Sequence, residues 1–263
     1  MPNTAKTRDG VDIVYEIHGD KGATKRIALV HSLAMERGFW DGVAAKLAGK
    51  AAILTLDCRG HGQSGKPNGP YTVEQMADDL ADVMKHAGWD KATVAGCSMG
   101  GCIALAFAIR HPAMTTGLGL VDTTAWYGAD APTAWEGRAK AALEKGLSSL
   151  ADFQLTRWFS DDFRTSGNPI VKRALDTFLG NDIPAYAETC RMLGAADMRD
   201  KLGTITAPTR IVVGEEDYAT TVDMAKAMHA GIEGSSFLVL DKARHLTPLE
   251  VPEKIAAELE RLL

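Results

Sequence analysis

The sequence predicts an α/β protein: a mostly parallel sheet with helices on both faces and a helical segment inserted late in the chain. Three observations carry this. Short apolar runs alternate with helix-patterned stretches from Arg26 to Val121 and again from Thr209 onward, and strands separated by helices pair in parallel because each crossover carries the chain back to the same sheet edge. That rhythm stops between Val121 and Thr209, where only helical patterns occur. The run Val94-Ala95-Gly96-Cys97-Ser98-Met99-Gly100-Gly101 joins an apolar stretch directly to the helical pattern Ile103 to Ile109, as a strand, a sharp turn and a helix do.

In chain order, Thr4 to Arg8 and Val11 to Ile17 are joined by Asp9-Gly10, which suits a hairpin turn and implies an antiparallel sheet edge. Arg26 to Val30 and Ala52 to Leu56 read as strands. Gly60-His61-Gly62-Gln63-Ser64-Gly65 then spells G-x-G-x-x-G, but a dinucleotide fingerprint needs a helix to begin at once, so that its N–H groups meet the pyrophosphate. Lys66-Pro67-Asn68-Gly69-Pro70 follows instead, so the glycines are expected to shape a loop and Asp57, Arg59 and His61 either to be structural or to support the site residues from behind. Thr72 with Gln75 forms a capping box, and Val73, Met76, Ala77, Leu80, Val83, Met84 and Ala87 share one helical face. After the strand Leu118 to Val121, helical patterns at Ala139 to Leu150 and Ile170 to Leu179 lie in a segment expected to form a cap over the site. The resulting division is a core of residues 1–125 and 203–263 with a cap of residues 126–202. Thr209 to Val213 and Ser236 to Leu240 complete the strands, and a last helix is expected from Pro252 to Leu263.

The chemistry centres on Ser98. In G-x-S-x-G the serine occupies a strained turn with its hydroxyl projecting, and Gly96 and Gly100 lack side chains that would crowd strand and helix. A nucleophilic serine needs a base, and the base needs an acid to orient it. Asp217 follows the strand Thr209 to Val213 and His245 follows Ser236 to Leu240; parallel strands put their carboxyl ends at one edge, so the three are expected to meet there. Glu215 and Glu216 compete with Asp217, which its G-x-x-D placement favours. The oxyanion donors are expected to be the backbone N–H groups of Met99, next to the nucleophile, and of Leu33, in the loop after the first parallel strand. His31 is expected to hold that loop.

The motifs resemble the α/β-hydrolase fold over essentially the whole chain, including Asp57-Cys58-Arg59-Gly60-His61-Gly62-Gln63-Ser64. More narrowly, the chain is similar to the 3-oxoadipate enol-lactonases in Ser32-Leu33, in Gly69-Pro70-Tyr71-Thr72-Val73-Glu74-Gln75, in Trp135 with Arg138, in Arg157-Trp158-Phe159 and in Ala196-Asp197-Met198-Arg199. It departs from that family at His31, Ala34, Cys97 and His245-Leu246-Thr247-Pro248. The resemblance implies a serine hydrolase that cleaves a carboxylate-bearing lactone through an acyl-enzyme, with Trp135, Arg138, Trp158 and Arg157 against the substrate. Trp126, Trp135 and Trp158 all fall in the cap, where one or two are expected to wall the pocket. A broader carboxylesterase or a C–C bond hydrolase are the alternatives; a non-catalytic receptor on the same fold is a further one. Haloalkane dehalogenases and epoxide hydrolases use an Asp nucleophile, which Ser98 excludes.

With 263 residues, 46% of them hydrophobic, the chain can bury a sizeable core. A formal charge of −5 without a long basic run argues against nucleic acid as a partner. Cys58, Cys97, Cys102 and Cys190 show no metal-ligand spacing, and no H-E-x-x-H occurs, so neither a metal nor another cofactor is expected and the thiols are expected to be free. The N-terminus lacks the apolar stretch of a signal peptide, and no apolar run approaches the roughly 20 residues of a membrane helix. A soluble cytoplasmic protein acting on a small molecule is the expectation.

Overall fold

The computed structural model describes residues 2–20 and 22–263. Its eight strands are β1 (Asn3–Lys6), β2 (Asp12–His18), β3 (Arg26–Val30), β4 (Ala52–Leu56), β5 (Ala92–Cys97), β6 (Thr115–Val121), β7 (Thr209–Gly214) and β8 (Ser236–Leu240). They form one sheet in the order β1-β2-β4-β3-β5-β6-β7-β8. The β1–β2 hairpin pairs antiparallel and joins the sheet through β2 and β4; every pairing from β4 to β8 is parallel. Strands β4 and β5 are buried at every position, as expected of parallel strands covered on both faces.

The α-helices are α1 (Asp41–Leu47), α2 (Val73–His86), α3 (Met99–Arg110), α4 (Ala131–Lys145), α5 (Ala151–Trp158), α6 (Asp161–Thr165), α7 (Pro169–Leu179), α8 (Ile183–Ala195), α9 (Val222–Gly231), α10 (Thr247–Glu250) and α11 (Pro252–Glu260). Helices α4 to α8 all fall between β6 and β7. The two stems of this insertion meet: Trp126 bridges Asp197, and Met198 N–H donates to the Ala125 carbonyl at 3.0 Å.

Three local expectations need correction. Helix α4 spans Ala131–Lys145 rather than starting at Ala139, and ends because Gly146 takes φ 76°; Leu147–Leu150 is then a separate 3-10 turn. The capping box at α2 forms by half. Thr72 Oγ1 accepts the Gln75 N–H at 3.0 Å, but the Gln75 side chain reaches across to Asp9 at 3.2 Å. The last helix stops at Glu260, and the Leu262 carbonyl is taken by the Thr93 hydroxyl. All four cysteines are free and buried. Among the described residues no helix is long and apolar enough to cross a membrane, and no cluster of side chains suits a metal.

Candidate active site

Ser98 stands between β5 and α3 at φ 55°, ψ −117°, a conformation that costs a non-glycine residue about 1–3 kcal/mol and persists only where the surroundings enforce it. They do: Ser98 N–H donates to the Val121 carbonyl at 2.9 Å, and its own carbonyl accepts from the Thr123 hydroxyl at 2.7 Å and from Gly101 N–H at 2.9 Å. The flanking glycines are steric necessities. A Cβ on Gly96 would lie 2.0 Å from the Gly100 carbonyl oxygen, and one on Gly100 would lie 2.1 Å from that of Val30. Cys97, in contrast, points into the core beside Asp122 and the His245 carbonyl, and burial pushes its thiol well up from the ordinary value.

The carboxyl ends of β5, β7 and β8 bring the three sequence candidates together. His245 Nε2 is 3.0 Å from Ser98 Oγ, and His245 Nδ1 is 2.8 Å from Asp217 Oδ2. Asp217 is itself fixed, accepting N–H groups of Ala219 and Thr220 on Oδ1 and the Thr220 hydroxyl on Oδ2 at 2.7–2.9 Å. The competing carboxylates are spoken for elsewhere: Glu215 accepts Lys242 N–H and Glu216 pairs with Arg244, both at the surface. Such a chain can hand a proton from hydroxyl to imidazole while the carboxylate holds the tautomer.

Leu33 borders the chamber containing Ser98 and His245, in the loop that His31 ties down. The His31 imidazole donates through Nδ1 to the Ser32 carbonyl at 2.8 Å and accepts Cys58 N–H on Nε2 at 2.9 Å. Burial holds it neutral, its pKa shifted down. Met99 opens α3, whose first-turn N–H groups have no partner within the helix.

The remaining wall comes from the insertion. Trp135 and Arg138 of α4, Arg157 and Trp158 of α5 line the chamber with Ser98; Trp135, Arg138 and Arg157 extend into an adjoining outer basin of about 510 Å³. Arg138 stacks on Trp135 at 4.9 Å from the ring centroid and donates through Nε to the Tyr186 hydroxyl at 2.7 Å. Arg157 lies over Phe153 at 5.6 Å. Burial first, and then the charge of Arg138, hold the Arg157 guanidinium below its ordinary value. Among the described residues neither arginine forms a salt bridge or a hydrogen bond to a carboxylate. Trp126 is not part of this wall: it lies 3.6 Å from the Arg199 guanidinium and borders a different cavity with Leu202 and Met228.

Several contributors were not evident in the sequence. Tyr127 borders the chamber with its ring edge-on to Trp135, its hydroxyl 3.9 Å from Cys102 Sγ, and burial pushes that hydroxyl's pKa up. Gln154, at i, i+3, i+4 spacing with Arg157 and Trp158 on α5, completes their shared face. Asp122, fully buried at the end of β6, accepts Gly214 N–H at 3.0 Å, Thr247 N–H at 3.0 Å and the Thr247 hydroxyl at 2.6 Å. It thereby ties the loops of Asp217 and His245 to one anchor; burial, then the charge of Asp217, raise its pKa well above the carboxylate range. The Trp158 carbonyl accepts both His245 N–H and Leu246 N–H, at 3.1 and 3.0 Å, so α5 also braces the imidazole loop.

The fold and this constellation define a class, and comparison with known proteins agrees. The chain belongs to the α/β-hydrolase fold family, whose profile matches residues 25–252. Within it the chain is 32% identical to 3-oxoadipate enol-lactonase 1 of Acinetobacter baylyi over 94% of this chain and 91% of that one. It also superposes on the crystal structure of the enol-lactonase from Burkholderia xenovorans with a TM-score of 0.94, at 30% identity and 99% coverage of both chains. A thermophilic esterase from Thermogutta terrifontis, solved with malate bound, has a TM-score of 0.92 at 26% identity, covering 99% of this chain and 97% of that one.

Proposed function

We propose that the protein is a serine hydrolase that opens a lactone carrying a carboxylate, of the 3-oxoadipate enol-lactone type. The observation that carries the reading is the pair of guanidinium groups, Arg138 and Arg157, walling the chamber of Ser98 without a carboxylate partner among the described residues. Two neighbouring cations at a partly desolvated site repel each other, and an anion that hydrogen-bonds to them offsets that cost. Similarity to two enol-lactonases supports the lactone in particular.

In this reading His245 Nε2 takes the Ser98 proton as Oγ adds to the lactone carbonyl, and the Leu33 and Met99 N–H groups hold the oxyanion. Collapse breaks the ring C–O bond. The departing enol oxygen receives the proton from His245 and stays attached to the acyl group, because acyl and leaving groups belong to one ring. Water then gives a proton to His245 and adds its oxygen to the ester carbon; a second collapse releases the new carboxylic acid and returns the proton to Ser98 Oγ. The bond between Ser98 and His245 is what favours catalysis over a receptor role, since a receptor has no use for it.

The test compares an anionic lactone with neutral p-nitrophenyl esters. Arg138→Ala or Arg157→Ala is expected to raise the Michaelis constant for the anionic lactone by about 10-fold, equivalent to ~1.4 kcal/mol, and so lower the anionic-to-neutral selectivity. A selectivity that neither substitution alters would replace this reading with the broader carboxylesterase.

A further inference from the structure

Gln154 is fully buried and lines the chamber of Ser98 from α5, the helix that also carries Arg157. Its amide nitrogen lies 3.3 Å from the Tyr186 hydroxyl oxygen, and its amide oxygen is buried with no hydrogen-bond partner. Tyr186 belongs to α8, and its hydroxyl already accepts the Arg138 Nε–H at 2.7 Å. Two donors therefore converge on one hydroxyl while an amide oxygen next door has none. A buried acceptor left unmatched loses its hydration with nothing in return. Burial holds the Tyr186 hydroxyl protonated, its pKa pushed up to about 12, so it has a proton to give.

A half-turn of the amide gives the Tyr186 hydroxyl proton an acceptor in Gln154 Oε1 and leaves the amide nitrogen, in place of the oxygen, as the buried group without a partner. Tyr186 then accepts from Arg138 and donates to Gln154 Oε1, and the Gln154 NH2 takes the place of the unmatched oxygen, leaving its N–H free for a ligand. We propose that Gln154 is a specificity-determining residue: oriented through Arg138 and Tyr186, it presents a neutral N–H donor beside the two guanidinium groups to a carboxylate oxygen of the substrate. The arginines supply attraction. The amide, held by a helix on one side and a hydroxyl on the other, supplies direction, because its donors lie in one plane and a carboxylate accepts along its lone pairs. The proposal rests on the carboxylate-lactone reading and names the residue that would make that recognition selective.

Gln154→Leu removes the donor, and Gln154→Glu replaces it by an oxygen that competes for the arginines. Both are assayed beside Arg138→Ala on 3-oxoadipate enol-lactone and on p-nitrophenyl acetate. The ratio of kcat/KM for the lactone to that for the neutral ester is expected to fall about 10-fold in Gln154→Leu and further in Gln154→Glu, with the loss in KM for the lactone. Tyr186→Phe, which frees the amide to turn, is expected to lower the ratio to a smaller degree and carries the test if Gln154→Leu does not fold. An unaltered ratio overturns the proposal, as does an equal loss of kcat on both substrates, the mark of disturbed α5 packing. If Arg138→Ala lowers the ratio and the Gln154 variants do not, the carboxylate reading stands without Gln154. If none lowers it, the underlying reading fails as well.

Discussion

A single methyl group at Gly100 is expected to disable the enzyme while leaving it folded. A Cβ there would stand 2.1 Å from the Val30 carbonyl oxygen, 2.5 Å from the Val30 carbonyl carbon and 2.6 Å from the His31 oxygen. None of these is the end of a flexible side chain. Helix α3 and the end of β3 must part by about 1 Å before the tightest contact reaches 3.0 Å, and a close-packed interior resists such movement. The strain falls on the two segments that carry the proposed oxyanion donors, since β3 leads to Leu33 and α3 begins at Met99. Overpacking of this kind typically costs about 1–3 kcal/mol of stability. Losing the alignment of one oxyanion donor costs about 10²–10³ in kcat, and misplacement by about 1 Å is enough to cost about 10²-fold. Gly100→Ala is therefore expected to lose at least ~10²-fold in kcat on p-nitrophenyl acetate, with the urea midpoint lowered but a cooperative transition retained. Wild-type kcat in a folded Gly100→Ala protein would refute the reasoning.

Ser98→Ala and His245→Ala are expected to lower turnover by up to about 10⁶, Asp217→Asn by less, because the three act as a unit; over half the wild-type rate in Ser98→Ala would end the serine reading, and labelling of Ser98 by a fluorophosphonate is expected in the wild type. Activity is expected to decline on the acid side as the imidazole base takes up a proton; a rate flat down to about pH 4 in folded protein would exclude a histidine base. His61 is buried, and burial lowers its pKa to about 3 from the ordinary 6.5. The folded state therefore holds fewer protons than the unfolded one between these values, and stability tied to neutral His61 is present above pH 6.5 and drains away towards pH 3, by up to about 1.4 kcal/mol per unit. His61→Gln is expected to flatten the fall of the urea midpoint between pH 6 and 4; parallel slopes in the two proteins would count against it. Asp122→Ala leaves Gly214 N–H, Thr247 N–H and the Thr247 hydroxyl without their acceptor, so a loss of about 3 kcal/mol or more is expected in denaturant unfolding, and an unchanged midpoint would contradict the anchor role.

The sheet, its antiparallel first hairpin and the place of Ser98 were legible in the sequence because each depends on local constraints. Side-chain alternation and apolar runs report burial of a strand, and G-x-S-x-G records a steric demand that acts within five residues, as the 2.0 Å approach at Gly96 shows. The order Ser98, Asp217, His245 was readable because strand ends in a parallel sheet share an edge. What the chain does above that edge was decided only by tertiary packing. Nothing near Gln75 in sequence marks Asp9 as its partner, and nothing near Trp126 shows that it turns toward Arg199 while Trp135 turns toward Ser98. Arg138 and Arg157 line one chamber because α4 and α5 both border it, and Tyr186 reaches Arg138 from α8, which packs along α4. Asp122 becomes an anchor only once β6, β7 and the loop after β8 are neighbours. Such contacts join residues far apart in the chain, and their geometry depends on how whole helices seat against one another, which periodicity along one helix does not encode.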